Sequence, residues 1–299
     1  MPAVDIEPVP GAPRKLSRLR LHRRDSIGLA YHVLTFETDT PLQARAGQFV
    51  MMRTATSGPS PLLPRPMSLL AAGERPAILL KVVGEATERF ARASSGELFD
   101  VLLPLGTPWG PCPEGHRRLL IAGGVGVAPI LFLARELSER SALLPLALFG
   151  GRTASDLPLS AELASVAALR VATEDGSAGT RGRVTVLAER VLCELAKEAI
   201  PAKVYTCGPR LMMASIAQMC RSAGVRCEVS LEARMACGYG VCLGCAVPRR
   251  SPRSSDEGEG TLSRPSGYIY ACTEGPCVDA ESVDWPGELS ESAAQAREA

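Results

Sequence analysis

Residues Leu119–Ile130 read LLIAGGVGVAPI. The apolar run Leu119–Ala122 has the length of a short buried strand. Gly123, Gly124 and Gly126 follow at once, and the stretch from Val127 to Arg140 has the composition of a helix. Pro129 suits the first helical turn, where no N–H is missed. A glycine turn between a strand and a helix offers free N–H groups and a positive helix end to a pyrophosphate. The pattern is not a full G-x-G-x-x-G, because Pro129 stands where the third glycine would be. Tight strand–helix packing alone also asks for such glycines. The turn gains weight from YTCGP, Tyr205–Pro209, a second strand ending in a Gly–Pro turn before a helix. In an open α/β sheet both turns lie at strand C-termini, where ligands bind.

Working outward, residues 113–233 alternate strand and helix, which argues for a parallel sheet. Strands are expected at Leu144–Phe149, Arg170–Ala172 and Lys203–Thr206, with a helix at Thr185–Glu198. Met212, Ile216, Met219 and Ala223 follow helical spacing, and Gly224 is a natural C-terminal cap. Upstream, residues 15–112 hold short β-like runs at Tyr31–Phe36, Gln48–Met52, Ala77–Val83 and Leu98–Leu103. Clusters such as Thr56–Pro61 separate them, and the spacing suggests a small antiparallel barrel. Residues 1–14 read as a disordered Pro-rich leader, 249–260 as a polar loop and 286–299 as a mobile tail. Residues 234–285 hold few long apolar elements and half of the ten cysteines.

Those cysteines are the most specific signal. Cys237, Cys242 and Cys245 form C-x4-C-x2-C, and Cys272 follows at a distance. This is the plant-type [2Fe–2S] spacing. Four thiolates must converge on one small cluster, so three come from one tight loop. Gly238, Gly240 and Gly244 let backbone N–H groups approach the sulfurs. A structural zinc held by four cysteines is the alternative, although zinc favours paired C-x2–4-C knuckles. Cys277 is a fifth candidate ligand, with Cys272 the choice for the fourth. None of the three histidines lies near the cluster.

Arg65-Pro66-Met67-Ser68 lies between the barrel runs. Arginine supplies a fixed fork for phosphate, and serine a hydroxyl. The same tetrapeptide is also an ordinary turn sequence. Further on, Lys81–Thr87 ends a strand in a small-residue turn that suits a second phosphate. Glu174, Asp175, Glu228 and Glu232 are candidate catalytic carboxylates or plain surface charges. Arg152 either touches a nucleotide or is solvated.

Lysine plus arginine total 33 against 32 acids, a net charge of +1. That balance excludes a generally basic nucleic-acid binder and an acidic disordered chain. The N-terminus has no apolar signal core, and the apolar stretch from Leu119 to Ala134 is too short and too glycine-rich to span a membrane. No membrane association is expected, and a cytoplasmic protein is the default.

A barrel with R-P-x-S, an α/β unit with GGVGVAP and CGP, and then C-x4-C-x2-C…C resembles the ferredoxin-reductase arrangement with an appended iron–sulfur domain. More narrowly, it resembles the electron-transfer subunits of dihydroorotate dehydrogenase B. SLEARMACGYGVCLGCAV (Ser230–Val247), TEDGSAGTRGRVT (Thr173–Thr185) and ACTEGPCVDA (Ala271–Ala280) carry this likeness. It implies an FAD-binding barrel over 15–112, an NAD-binding domain over 113–233 and a [2Fe–2S] domain over 234–285. Arg65, Pro66, Met67 and Ser68, with Leu79, Leu80, Lys81, Ala86 and Thr87, carry over as FAD contacts. Gly123, Gly124 and Gly126 carry over to the NAD side, and Cys237, Cys242, Cys245 and Cys272 to the cluster. Lys81 and Ala86 stand where the family has arginine and glycine, and Cys277 stands where an aliphatic residue is expected. The resemblance further implies an FMN-bearing catalytic partner in a two-plus-two heterotetramer, with electrons running to NAD+ in pyrimidine synthesis. The rival readings are a related reductase subunit of a hydrogenase or ferredoxin–NADP system, and a non-enzymatic zinc module.

Overall fold

The computed structural model describes residues 15–28, 30–55, 62–250 and 267–289. The expected leader, the Thr56–Pro61 cluster, positions 251–260 of the polar loop and the tail from 290 lie outside them.

Six strands make the barrel: β1 (Lys15–Ile27), β2 (Tyr31–Glu37), β3 (Phe49–Thr54), β4 (Arg65–Ala71), β5 (Ala77–Lys81) and β6 (Leu98–Leu105), with helix α1 (Glu85–Arg92) before the last. It closes in the order β1-β2-β5-β4-β3-β6. Four of these strands fall on the expected apolar runs. Two do not. β1 buries only Leu19 and Leu21, and its many charged side chains conceal it from a reading of apolar runs. Arg65–Ser68 is not a turn between strands: it begins β4, where Met67 pairs with Val50 and Ser68 with Phe49. The small-residue turn after Lys81 leads directly into α1. There the Thr87 hydroxyl accepts from the N–H groups of Val83 (2.9 Å) and Gly84 (3.1 Å), which shapes the helix entrance. Phe99 meets Phe36 and Phe90 edge-on, at 5.3 and 5.5 Å between centroids, and fills the barrel interior.

The second unit runs β7 (Arg117–Gly123), α2 (Val127–Arg140), β8 (Leu146–Gly151), α3 (Ser160–Val166), β9 (Ala168–Thr173), β10 (Thr180–Arg181), α4 (Val184–Lys197), β11 (Ala202–Cys207), α5 (Arg210–Ser222) and β12 (Arg226–Ser230). The cysteine-rich segment adds the ribbon β13 (Ala246–Pro248) with β14 (Tyr268–Tyr270), and then β15 (Cys277–Asp279). The large sheet has the order β10-β9-β8-β7-β11-β12-β15. Its pairs are parallel except the last, in which Ser230 faces Cys277 and Glu228 faces Asp279. The order reverses between β7 and β11, which makes a crevice at their C-terminal ends. Residues 285–289 form a helical turn in which Glu288 is buried and pairs with Arg210 at 3.1 Å, so this part of the expected tail is anchored.

Several contacts lock the barrel to the sheet. The first two turns of α2 are wholly buried, and the helix packs on β4. From its later turns Arg135 Nη1 donates to the Leu70 carbonyl (3.2 Å), and Glu136 accepts from the Ala46 N–H (2.9 Å). Behind the sheet, Glu228 bridges Lys203 Nζ (2.5 Å) and the Gly110 N–H (2.8 Å). Trp109 stands edge-on to Tyr205, 5.6 Å between centroids. Among the described residues no helix is long and apolar enough to cross a membrane.

Candidate active site

The two glycine turns meet where the sheet order reverses. β7 and β11 are parallel neighbours, with Ala122 opposite Cys207. A Cβ on Gly126 would strike the Cys207 carbonyl, and one on Gly123 would lie 2.7 Å from Met212 Sδ and 2.8 Å from Pro209 Cδ. Gly124 takes a left-handed φ of 53°. The glycines therefore serve both readings of the sequence: they allow close packing and leave backbone N–H groups at the crevice.

A cavity of about 470 Å³ opens over Gly123 and Gly124, bounded by Gly150, Arg152, Glu174 and Arg183. Lys81 lines it too, beside the dinucleotide turns rather than with the Ser68 group. Asp156 gathers the charges at its edge. Oδ1 accepts from Lys81 Nζ (2.8 Å) and the Tyr31 hydroxyl (3.0 Å), and Oδ2 from Arg152 Nε (2.8 Å). The Lys81 hydrogen bond, helped by Arg152 and Tyr31 against the cost of burial, pulls the Asp156 carboxyl down to about 2. Tyr31 and Lys81 come from the barrel and Asp156 from the nucleotide unit, so this cluster also bridges the two. Arg152 is thus neither free nor simply solvated, and Glu174 faces the cavity. Asp175 instead closes its own turn on Ser177.

A second cavity, about 240 Å³, lies between all three parts of the chain. Pro66, Met67, Ser68 and Leu79 line it from the barrel, Gly126, Cys207 and Glu232 from the nucleotide unit, and Met235 and Pro276 from the cysteine-rich segment. Arg65 lies just outside this lining. Leu80 and Ala86 are buried in the protein, and Thr87 spends its hydroxyl on the α1 entrance. An apolar lining that carries the Ser68 and Ser230 hydroxyls suits a flavin ring.

The cysteine loop packs against the barrel beside that cavity. Gly238 has a φ of 77°, and a Cβ there would strike Met51 and approach Leu105 Cδ1 to 3.1 Å. Cys237 Sγ accepts from the N–H groups of Val241 (3.4 Å) and Cys242 (3.5 Å). Burial works to raise this thiol, but the surrounding N–H groups outweigh it and bring it to about 7. Cys245 and Cys272 bring their sulfurs within 3.2 Å. Cys277 Sγ instead meets the Gly47 carbonyl at 3.8 Å. Among the described residues no three Cys, His, Asp or Glu groups close on one point as a single ion requires. The close Cys245 and Cys272 thiols and the N–H donors to Cys237 Sγ fit an iron–sulfur cluster held by cysteines.

The barrel, the crevice and the sulfur loop define a ferredoxin-reductase-like oxidoreductase extended by an iron–sulfur segment. The structure of an NADH-dependent reduced ferredoxin-NADP oxidoreductase is 25% identical and superposes with a TM-score of 0.75, covering 92% of this chain and 93% of that one. A ferredoxin reductase of carbazole 1,9a-dioxygenase, 19% identical with a TM-score of 0.63 over 72% of this chain and 68% of that one, shares the fold. Residues 232–284 match the iron–sulfur cluster binding domain of dihydroorotate dehydrogenase B, and residues 120–218 an oxidoreductase NAD-binding domain. The chain belongs to the electron transfer subunits of NAD(+)-linked dihydroorotate dehydrogenase B. The subunit from Desulforamulus reducens is 35% identical over 257 residues, covering 83% of this chain and 91% of its own. That from Bacillus caldolyticus is 34% identical over 242 residues, 79% and 86% of the two chains.

The sequence reading missed Tyr31 and Asp156. They lie 125 positions apart and belong to no motif.

Proposed function

We propose that this chain carries electrons from the FMN of a dihydroorotate dehydrogenase catalytic subunit, through a [2Fe–2S] cluster and FAD, to NAD+. One observation carries the reading: the smaller cavity is lined at once by the barrel, the nucleotide unit and the cysteine-rich segment. A redox group seated there would lie between the cysteine-rich segment and the nucleotide unit. Flavin supplies the chemistry that links them, because it exchanges hydride with a nicotinamide and single electrons with a cluster.

The chain's residues divide the work. Cys237, Cys242, Cys245 and Cys272 hold the cluster. The exposed side of their loop, with Tyr239, Val241 and Cys242, forms the surface for the catalytic subunit, which pairs two-plus-two with this chain. Pro66, Met67, Ser68 and Leu79 hold the ring, with Arg65 and the entrance to α1, at Ala86 and Thr87, toward its phosphates. Leu80 supports this wall from inside the barrel. Gly123, Gly124 and Gly126 bring N–H groups to the dinucleotide, with Lys81 and Arg152 as its cations. The functional units are 15–112, 113–233 and 234–285. Dihydroorotate chemistry itself belongs to the catalytic subunit.

The test is anaerobic purification with iron, sulfide and flavin assayed on one sample. Iron and sulfide in equal amounts with FAD support the reading, and a colourless zinc protein overturns it. Reduction of NAD+ by dihydroorotate should require the FMN subunit. If a ferredoxin supports turnover and the FMN subunit does not, the rival that resembles the NADH-dependent ferredoxin-NADP oxidoreductase takes its place.

A further inference from the structure

A pyrophosphate brings two negative charges to the site that binds it, and the larger cavity has little positive charge to spare for them. Its charged lining is Lys81, Arg152 and Arg183 against Asp156 and Glu174, three cations less two carboxylates, which leaves one net positive charge. Two of the three cations are already engaged. Lys81 Nζ and Arg152 Nε each lie 2.8 Å from the Asp156 carboxylate, one on each oxygen. Glu174 also attracts Arg152.

The anion is held more firmly than its cations. Asp156 ends the short turn Ala154–Asp156 after β8, and a Cβ on Gly151 would lie 2.9 Å from the Asp156 carbonyl oxygen, so the turn sits tight against that strand. The carboxylate is 13% exposed, and the Tyr31 hydroxyl holds it from the barrel side. The Lys81 side chain is 27% exposed. Arg152, at 72%, has room to turn toward a ligand without opening the core.

We propose that Asp156 is a built-in competitor of the dinucleotide: its carboxylate occupies the cations that the pyrophosphate needs and so keeps NAD+ and NADH weakly held. This rests on the dinucleotide reading of the larger cavity above. On binding, Arg152 and Lys81 exchange the carboxylate for phosphate oxygens, and no covalent bond changes. Repulsion between the freed carboxylate and the phosphates adds to the cost. A weakly held dinucleotide leaves soon after hydride transfer, which suits a chain that must release one product before the next pair of electrons can leave it.

The test is isothermal titration of the full-length, flavin- and cluster-loaded chain with NAD+ and with ADP-ribose, which carries the pyrophosphate without the nicotinamide. In Asp156→Asn the Kd for both should fall about tenfold, the order of one charge–charge contact near a protein surface. The gain should shrink at about 1 M salt, where the screening length is ~3 Å. In stopped-flow reduction of the flavin by NADH, the apparent Kd should fall while the limiting rate does not rise, the mark of ground-state binding. A purely structural role for Asp156 predicts the opposite sign, because a loosened joint binds less well. Equal or weaker binding of ADP-ribose by D156N therefore overturns the proposal. If D156N does not fold, Arg152→Met decides, since that exposed side chain can be removed without touching the core. ADP-ribose should then bind about fivefold more weakly than to the wild type. Unchanged binding means that Arg152 never passes to the phosphates, and the proposal falls. A wild-type chain that binds neither NAD+ nor ADP-ribose overturns the dinucleotide reading instead, so the two failures are distinct.

Discussion

Asp156 is the group by which the barrel and the nucleotide unit hold each other, and removing its charge should loosen that joint. In Asp156→Asn the side chain keeps its shape while Lys81 and Arg152 lose their anion. The fall of the carboxyl from 3.8 to about 2 measures what its partners contribute in the folded state. At about 1.4 kcal/mol per pH unit this comes to roughly 2 kcal/mol. The sign follows from a folded value below the unfolded one: the contribution is full above pH 4 and fades as pH falls toward 2, about half of it remaining at pH 3. Lys81 is only 27% exposed in its side chain, so solvent screens the pair less than an ordinary surface contact. A double-mutant cycle of Asp156→Asn with Lys81→Met, read as urea midpoints at matched flavin and cluster content, isolates the term. The expected coupling is about 1 kcal/mol at pH 7, because Arg152 and Tyr31 supply the rest of the total. Coupling below about 0.5 kcal/mol, or one that does not weaken between pH 5 and 3, would place this contact with weak surface pairs and refute the reasoning.

Other substitutions test other parts of the site. Cys272→Ser should abolish cluster absorbance and acid-labile sulfide, whereas Cys277→Ser should retain both; the reverse result exchanges the ligands. Gly123→Ala drives a methyl group against Met212 and Pro209, so KM for NADH should rise about tenfold, equivalent to ~1.4 kcal/mol, while flavin content stays constant. Glu228→Ala strands the buried Lys203 and should lower stability by about 3–5 kcal/mol; Glu228→Gln keeps an acceptor for the Gly110 N–H and should cost less in the same denaturation assay.

Local chemistry was legible in the sequence wherever neighbours in the chain perform it together. The C-x4-C-x2-C loop and the GGVGVAP turn are such cases, and α2 spans Val127–Arg140 as its composition suggests. Arg65–Ser68 was less readable, because proline discourages a strand assignment, yet Pro66 is tolerated near the start of β4. Helix α1 buries Ala86, Thr87, Phe90 and Ala91 and carries four charges, too little apolar signal to stand out in a short stretch. Lys81 sits at the end of a recognisable strand, but its partner Asp156 belongs to another unit. Which cavity such a side chain serves is settled by tertiary packing, and no window of sequence contains that information.

The strand β15 bears on how the protein is made. Residues 277–279 complete the edge of the large sheet, and they leave the ribosome only after the four cysteines proposed to hold the cluster. Until then β12 presents open backbone donors and acceptors next to the flavin cavity, an invitation to mispairing. Sheet closure thus waits for a chain that already carries every thiolate of the proposed ligand set. A product broken off before Cys277 is an unfinished sheet, open to proteases, rather than a working flavoprotein detached from its electron supply.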